Sequence, residues 1–385
     1  MPIHFSKEEL AGRRQRTIAA MEKRGLHGLL MFKQESMYYL TGYDTYGYVF
    51  FQCLYLGRDG RMTLLTRSTD VRQARYTSIL DDVRVWLDAP DADPARTDLK
   101  PILDEHGCRG KTLGVEWESY GLTARNGFRL KAALDGFCAL DDASDLVSRL
   151  RAVKSPAELV YVRRAAELAD DALREAQRLS VPGAFEGDVM AAMQGAIYKG
   201  GGDDSANEWN VLSGPAALLS RYQTGRRHFD ADDQFNIEFA GVYRHYHCGL
   251  YRTIKVGKAN PKHRDMYLYS AESLEACKKA LRPGRPVGEV FDTYKKMLEK
   301  GGYGSARLNA CGYSLGATYA PTWMDWPMFF HGNAVLAEPG MVFFIIPGVR
   351  NDAENLVALA AETVLVTDSG CERLSKVPLD YTHNP

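Results

Sequence analysis

The chain has 385 residues, of which 45% are hydrophobic and 25% charged, the composition of an ordinary globular protein long enough for two domains. Its 48 Lys and Arg residues nearly balance its 49 Asp and Glu residues, so the net charge of −1 gives no general attraction to nucleic acid or to an anionic membrane. The first residues lack the apolar core of a signal peptide, and no run reaches membrane-spanning length. Seven scattered cysteines without a CxxC pair predict free thiols, and we therefore expect a cytoplasmic protein.

Helical and strand patterns alternate through the first part of the chain, which predicts an α/β domain at residues 1–152. Ser6 and Glu9 form a capping-box pattern that begins a helix running to about Arg24. Apolar runs and helical stretches then follow in chain order. The runs predict strands at Gly28–Phe32, Val49–Leu56, Met62–Thr66, Val83–Trp86 and Thr112–Val115, and the helices lie near Asp98–Glu105 and Ala124–Leu134.

A domain boundary is predicted at Arg149–Ser155, so the second domain covers residues 153–385. Its first helix begins with Ser155 as N-cap, a proline at the first helical position and a glutamate three residues after the cap. Apolar residues at helical spacing continue until Pro182-Gly183 stops the helix.

The second domain contains an internal sequence repeat. Pro182-Gly183-x3-Gly187 recurs 101 residues later as Pro283-Gly284-x3-Gly288, and both segments lead into a helix ending Lys-Gly-Gly. This repeat predicts two similar αβ halves with a site between them. The alternative is that such Pro-Gly patterns are common punctuation before helices.

Residues 236–253 read NIEFAGVYRHYHCGLYRT and predict a β-hairpin with candidate site residues. Glu238 alternates with apolar neighbours, and Gly241 is the expected turn. On the return strand His245, His247 and Gly249 are expected to share one face. A buried carboxylate beside imidazoles is typical of acid/base machinery, of a metal site or of a satisfied ion pair.

Five short motifs follow one another along the chain: Arg151–Glu158, Ser213-Gly214-Pro215, Gly312–Gly316, Met341–Gly348 and Glu362-Thr363-Val364. In this order they resemble the creatinase/prolidase, or pita-bread, superfamily over nearly the whole chain. The resemblance implies a mixed α/β (α+β) homodimer, with an N-terminal creatinase-like domain and a C-terminal pita-bread domain containing an αβ duplication. The N-terminal segment often closes over the neighbouring subunit's pocket in this family, which makes Tyr46 a candidate substrate-binding residue.

The resemblance also predicts which metal-binding positions have been lost. Metallopeptidases of this superfamily bind two divalent metals through two Asp, one His and two Glu, because paired cations need several oxygen ligands. The matching residues here are Glu238, Gly249, Tyr313, Ile346 and Ala361. Since only the first is a carboxylate, we expect no metal, no other cofactor and no prolidase or aminopeptidase activity. A zinc site made by the hairpin glutamate and its two histidines is the weaker alternative.

Two branches of the superfamily, creatinase and ectoine hydrolase, hydrolyse non-peptide C–N bonds in small zwitterionic solutes without metal. The local match is best to ectoine hydrolase, whose E-x-A-G-V-Y-R-x-Y-H-C motif is reproduced by Glu238–Cys248. Its L-T-G-Y-D and Y-x-P-x-W segments correspond to Leu40–Asp44 and Tyr319–Trp323, and its tyrosine at the metal-binding histidine position is Tyr313. Both branches have a catalytic histidine where this chain has Arg221, which cannot act as a base but suits a carboxylate ligand.

The resemblance therefore implies a metal-independent hydrolase of an amide, amidine or cyclic amidine C–N bond in a small zwitterionic solute. Glu238 is predicted to attack carbon or to activate water, His247 to move protons, and Tyr313 to stabilise developing charge. The predicted substrate-binding residues are Arg221, Tyr222, His245, Trp323, Tyr46 and Glu362.

Each candidate also has a structural interpretation. A lone histidine is usually structural, an arginine is usually on the surface, and the aromatic residues around Trp323 are typical of core or dimer contacts. Glu362 lies one residue beyond the ligand position, and on a strand that shift changes the face. For the whole protein, a lyase acting on a charged solute and a non-catalytic descendant of a pita-bread peptidase are the alternatives.

Overall fold

The chain forms two compact units, Met1–Arg151 and Ala152–Pro385. The computed structural model describes residues 3–222 and 225–385. Over these described residues, no helix combines the length and the apolar character needed to cross a membrane.

The first unit is a mixed α/β domain built on one six-stranded sheet. Its helices are α1 (Lys7–Lys23), α2 (Gln34–Thr41), α3 (Val71–Thr77), α4 (Lys100–Glu105), α5 (Ala124–Leu134) and α6 (Leu146–Ala152). Its strands are β1 (Gly28–Met31), β2 (Cys53–Gly57), β3 (Met62–Arg67), β4 (Asp82–Trp86), β5 (Thr112–Val115) and β6 (Ala139–Asp142). They lie in the order β4-β3-β2-β1-β5-β6, with β1–β2 and β2–β3 antiparallel and the other neighbours parallel.

Every strand and helix predicted in this unit has a counterpart. The strand predicted at Val49–Leu56 begins only at Cys53, because residues 47–49 form a short 3-10 turn. The cap predicted for α1 is present, since the Ser6 side chain accepts a hydrogen bond from the Glu9 amide at 3.2 Å. Local sequence signals therefore fix most element positions here.

The second unit contains four long helices and a nine-stranded sheet. The helices are α7 (Pro156–Leu179), α8 (Glu186–Lys199), α9 (Pro261–Ala280) and α10 (Gly288–Lys300). The strands are β7 (Asn210–Ser213), β8 (Asp232–Tyr243), β9 (Tyr246–Gly257), β10 (Gly312–Ser314), β11 (Asp325–Met328), β12 (Val342–Ile345), β13 (Val349–Asn351), β14 (Leu356–Ala358), β15 (Ala360–Thr367), β16 (Gly370–Arg373) and β17 (Thr382–Asn384). The sheet order is β11-β10-β12-β15-β9-β8-β7, while β16 joins β15, β17 joins β9, and β13 pairs with β14 separately.

The first helix of this unit begins as its sequence predicts. The Ser155 hydroxyl accepts a hydrogen bond from the Glu158 amide at 3.3 Å, and the Glu158 carboxylate accepts one from the Ser155 amide at 2.9 Å. Pro156 stands at the first helical position, where its missing amide proton costs no hydrogen bond.

The internal repeat is visible as two helix pairs. Helix α7 packs against α8, and α9 packs against α10. Each predicted Pro-Gly segment precedes the second helix of its pair, α8 in one half and α10 in the other. The αβ duplication inferred from the sequence is thus a feature of the fold.

The hairpin of β8 and β9 differs from the prediction in the position of its turn. The two residues between the strands are Arg244 and His245, with φ of 53° and 65°. Two successive left-handed residues give the twist that a two-residue hairpin turn requires. The prediction of a turn at Gly241 was wrong, and His245 lies in the turn rather than on the return strand.

Gly241 has another role inside β8. A Cβ atom at this position would lie 2.1 Å from the carbonyl oxygen of Ala165 in α7, so only glycine permits this close packing of strand and helix. Because side chains alternate along a strand, Glu238 points to the face of the sheet opposite α7. We call these two sides the helix face and the Glu238 face.

Candidate functional site

The centre of the site is a row of residues that lie directly opposite one another on four neighbouring strands. Asn210 on β7 is paired with Glu238 on β8, and Glu238 is paired with Tyr251 on β9. Tyr251 is in turn paired with Ala361 on β15. Residues in register share a face, so all four side chains belong to the Glu238 face.

Tyr313 and Gly249 belong to the same face. The register pairs Tyr313 with Phe344, and the two rings are in edge contact with centroids 5.9 Å apart. The Phe344 ring also packs over Gly249, where a Cβ would lie 3.1 Å from it. Glu238, Gly249, Tyr313 and Ala361, which match ligand positions of the metallopeptidases, are therefore brought together.

Glu238 is held through one oxygen. The Asn210 side-chain amide donates to Glu238 Oε2 at 2.7 Å, whereas Oε1 has no hydrogen-bond partner among the residues that the structure describes. Burial raises the pKa of the Glu238 carboxyl, while the Asn210 hydrogen bond and the positive charge of Arg221 oppose this increase. The carboxyl is thus partly desolvated and retains one free oxygen.

Two phenols accompany this carboxyl. Burial raises the pKa of both Tyr313 and Tyr251, and the charge of Glu238 raises each of them further. The Tyr313 hydroxyl accepts a hydrogen bond from the Trp323 indole N–H at 2.8 Å, so its own proton is directed elsewhere. Within the described chain the Tyr251 hydroxyl makes no hydrogen bond, although this side chain is only 8% exposed. Both phenols can donate to a bound molecule.

Trp323 is fully buried, as a core residue would be, but it also links two loops to the site. Its backbone amide donates to Asn207 Oδ1 at 2.9 Å, and its indole supports Tyr313. The predicted contact of Trp323 with substrate therefore becomes a contact with Tyr313.

Arg221 lies on an exposed loop after β7, and Tyr222 beside it is 54% exposed. Burial raises the pKa of both Glu238 and Tyr313, and the positive charge of Arg221 opposes this increase at each, so the guanidinium lies near enough for its charge to act on them. In the part of the chain described here, it forms no hydrogen bond or ion pair. The charge of Arg221 thus acts on the carboxyl that the sequence identified as a candidate.

The loop carrying Arg221 is tied at both ends to the start of α8. The buried carboxylate of Glu186 accepts hydrogen bonds from the amides of Ser213 at 3.0 Å and of Arg226 and Arg227 at 3.1 and 3.3 Å. The Arg227 guanidinium also donates to Asp233 at 2.6 Å, which adds a side-chain bond to these backbone contacts. These bonds limit the positions that Arg221 can adopt.

His247 lies on the Glu238 face, but both of its ring nitrogens are used. Nε2 accepts a hydrogen bond from the Ala206 amide at 3.0 Å, which assigns the ring proton of the neutral form to Nδ1. Nδ1 then donates to the His245 carbonyl at 2.7 Å. Burial lowers the pKa of His247 to about 4. This arrangement speaks against the predicted proton transfer by His247 and assigns it a structural task.

His245 does not join the row around Glu238. The His245 ring stacks on Tyr319 with centroids 4.3 Å apart, and its amide donates to Asp203 at 3.1 Å. Tyr46 belongs to the first unit, where its side chain is 80% exposed. Its contact with substrate stays a prediction, as does the homodimer on which that contact depends.

Glu362 is turned away from the site. It is paired with Ile345 and Leu250 on the helix face, and its carboxylate lies between Arg252 at 2.5 Å and Arg373 at 2.9 Å. The prediction that Glu362 binds substrate is therefore not supported, because two arginines occupy it on the opposite side of the sheet.

The donor set does not fit the two-metal centre of the metallopeptidases. Glycine, alanine and isoleucine carry no ligating side chain, and Ile346 follows β12 next to the row. Glu238 is the single carboxylate among the matching positions, and the nearest alternative, Glu362, faces the helices. No group of three or more His, Cys, Asp or Glu side chains with metal-binding geometry occurs within residues 3–222 and 225–385.

Asn210 and Tyr251 are site residues that sequence reasoning missed. Both are identified by strand register, and register depends on the turn. With the turn at Arg244 and His245, pairing outward along the hairpin leads to Glu238 opposite Tyr251. A turn at Gly241 would pair Glu238 with a different residue of the return strand, so the wrong turn position prevented the identification of Tyr251 as its neighbour.

Comparisons with known proteins agree with this architecture. The sequence pattern of metallopeptidase family M24 matches residues 160–368, more than half of the chain. The chain belongs to the M24 family. The pattern of the creatinase/prolidase N-terminal domain matches residues 13–153 of this M24 protein.

Two M24 relatives have different activities. The chain is 28% identical to ectoine hydrolase from Halomonas elongata, over 98% of this chain and 97% of the relative. It is 27% identical to an Xaa-Pro dipeptidase from Pyrococcus furiosus, over 69% of this chain and 74% of the relative. These matches make the chain a hydrolase of the M24 family.

Solved structures show the same fold. A prolidase from Thermococcus sibiricus superposes with a TM-score of 0.87 at 22% identity, covering 98% of this chain and 100% of that one. At this level of identity the likeness establishes the pita-bread architecture of this M24 protein, with a creatinase-like domain before it.

Proposed function

We propose that this protein is a metal-independent hydrolase that cleaves an amide, amidine or cyclic amidine C–N bond in a small zwitterionic solute. The observation that carries the proposal is the state of Glu238. It is a single carboxylate among the positions that match the metallopeptidase ligands, held by Asn210 through Oε2, and its Oε1 has no hydrogen-bond partner in the described part of the chain. The similarity to ectoine hydrolase along nearly the whole chain supports the same reaction class.

The charges around the site support a zwitterionic substrate. Arg221 offers a guanidinium that can bind a carboxylate through two parallel hydrogen bonds. Glu238 offers the opposite charge to a cationic amidine or ammonium group. A molecule carrying both signs would bind between them and would place its C–N carbon near Oε1.

In this proposal Oε1 of Glu238 is the reacting atom. It takes a proton from the water whose oxygen bonds to the electrophilic carbon, and the carboxyl passes this proton to the leaving nitrogen as the C–N bond breaks. In the covalent alternative, Oε1 bonds to the carbon while the C–N bond breaks and the nitrogen takes a proton from water; the hydroxide so formed then cleaves the bond between carbon and Oε1 and releases the carboxylate. Tyr313 donates its hydroxyl proton as a hydrogen bond to the atom on which negative charge develops. Trp323 keeps the phenol in the orientation needed for this donation.

His247 has a positioning role here instead of the proton transfer that its sequence position predicts. It connects the loop at Ala206 with the hairpin turn at His245 through its two ring nitrogens. The loop from α8 to β7 also provides Asn207, which binds the backbone of Trp323. His247 thus stabilises the loops that surround Glu238.

The experiment that tests the proposal is turnover of ectoine, creatine and related cyclic amidines and amides by purified protein, with and without chelator. We expect hydrolysis that chelator does not reduce, with oxygen from isotopic water in the product. Loss of turnover on chelation would refute metal independence, and products without the isotope would indicate a lyase. Cleavage of Xaa-Pro dipeptides only after addition of divalent metal would favour the dipeptidase activity of other relatives.

A further inference from the structure

Among the residues that the structure describes, Asn210 provides the only hydrogen bond to the Glu238 side chain. Asn210 stands directly opposite Glu238 on the neighbouring strand, so the backbone ladder between β7 and β8 fixes their separation. The side-chain amide then needs no reorganisation to reach Oε2 at 2.7 Å. This contact is therefore built into the sheet.

A carboxylate has two equivalent oxygens, and either can react unless one is restrained. The amide of Asn210 has two N–H donors and binds Oε2, while Oε1 makes no hydrogen bond to any residue that the structure describes. Restraining one oxygen also fixes the plane of the carboxyl group, and small errors in such orientation are costly in catalysis.

We propose that Asn210 is a positioning residue that holds Oε2 of Glu238 and thereby presents Oε1 to the substrate. This inference rests on the proposed hydrolysis, in which Glu238 is the reacting carboxylate. Asn210 itself does not touch the reacting atoms. An aspartate at this place would present oxygen to oxygen, so the amide is the functional requirement.

The other polar groups that face Glu238 do not replace this contact. Arg221 acts on the carboxyl through its charge, from an exposed loop. Tyr251 and Tyr313 carry phenols of raised pKa that stay protonated at neutral pH, and neither donates a hydrogen bond to Glu238 in the described structure. Removal of the Asn210 amide therefore leaves both carboxyl oxygens free to rotate.

The test compares Asn210→Ala and Asn210→Asp with a matched control, Asn333→Asp. The Asn333 amide also donates at 2.7 Å, but to the Met328 carbonyl, and its backbone contacts Gly288 at the start of α10. All variants are first checked for folding by circular dichroism. We expect kcat to fall about ten- to a hundredfold in Asn210→Ala with little change in KM, as for loss of one hydrogen bond to a charged group.

The pH profile separates positioning from general damage. In Asn210→Asp the introduced carboxyl faces Glu238. The apparent pKa of the acid limb in the pH profile of kcat should therefore rise by at least about one pH unit. Asn333→Asp should leave the profile in place. Equal profiles for wild type and both Asn210 variants would overturn the proposal.

A second readout does not depend on turnover. The protonated Glu238 carboxyl has an infrared C=O band that is identified by its absence in Glu238→Gln. Its titration midpoint should rise in both Asn210 variants, because a hydrogen bond that favours the ionised form is lost. If the wild type hydrolyses none of the solutes, the proposed function fails, and an unchanged midpoint in both variants would refute the role of Asn210 separately.

Discussion

The two faces of the C-terminal sheet each contain a desolvated glutamate, and the two differ in their partners. On the helix face, the Glu362 carboxylate is fully buried between the guanidinium groups of Arg252 and Arg373. On the opposite face, Glu238 has one amide donor and no ion pair within hydrogen-bonding distance in the described structure. Burial raises the pKa of both carboxyls, but only at Glu362 do two adjacent arginines compensate for it directly.

This difference distinguishes a carboxylate that stabilises the fold from one that is available for chemistry. Removal of one partner from a buried ion pair strongly destabilises the fold, because the other charge stays buried without compensation. A buried carboxyl with a free oxygen costs stability, and such costs are typical of functional sites. The following substitutions test the distinction.

The largest effect is expected for Glu238→Gln. Because the amide can neither attack carbon nor accept a proton, kcat on a solute that the wild type hydrolyses should fall by about 10³-fold or more. The free energy of unfolding at neutral pH should be unchanged or higher, since a desolvated charge is removed. Steady-state kinetics and urea unfolding measure the two quantities, and retention of full activity would contradict the catalytic assignment.

Glu362→Gln should show the opposite behaviour. Loss of this charge leaves Arg252 buried without its partner, so the free energy of unfolding should decrease by about 3–5 kcal/mol. The control is Glu372→Gln, which removes an exposed ion pair with Arg163 and should cost no more than about 1 kcal/mol. Similar urea midpoints for the two variants would show that the ion pairs of Glu362 with Arg252 and Arg373 do not stabilise the fold.

His247 tests whether a residue on the Glu238 face has a structural role. Its pKa is lowered from 6.5 to about 4, so the unfolded chain binds a proton in this interval that the folded chain does not. Stability from the neutral ring is complete above pH 6.5 and is lost as the pH falls towards 4, by about 3 kcal/mol in total. In His247→Asn this part of the pH dependence should disappear from urea unfolding curves recorded at pH 7 and pH 4.5. If the free energy of unfolding changes equally between pH 7 and pH 4.5 in the wild type and in His247→Asn, His247 does not have this structural role.

Tyr313→Phe and Tyr267→Phe each remove one tyrosine hydroxyl, the first on the Glu238 face and the second on the helix face. Loss of a donor to developing charge should lower kcat about a hundredfold with little change in KM. Tyr267→Phe is the control on the helix face, where the hydroxyl is buried without a hydrogen-bond partner in the described structure. That variant should retain activity and should be as stable as the wild type or slightly more stable. If both hydroxyls can be removed without effect, Tyr313 has no catalytic role.

Most of the fold could be predicted because its signals are local. The cap at Ser155 and the alternation around Glu238 involve residues close together in sequence. Glu362 was predicted to bind substrate, and the alternative from period-two alternation, that it faces away, is the one the structure shows. The hairpin turn could not be predicted, because Arg244 and His245 adopt left-handed conformations without the glycine or asparagine that usually marks them.

The unpredicted part of the site follows from that turn and from tertiary pairing. Tyr251 is a neighbour of Glu238 only in the observed register. Asn210 is separated from Glu238 by 28 residues, and no local pattern indicates that their strands are adjacent. His247 matched a family position, but its two backbone partners, from the α8–β7 loop and the hairpin turn, depend on the folded chain.

The row of four residues has a consequence for how such a sheet changes its chemistry over time. Glu238 and Ala361 stand two strands apart, about 10 Å between their backbones, on a ladder of main-chain bonds that is independent of side-chain identity. Ala361→Glu would return an acidic group to the row without disturbing the ion pairs of its neighbour Glu362, which project from the other side. The backbone ladder therefore lets a carboxylate be introduced on the Glu238 face at one position while the pairing of the strands is kept.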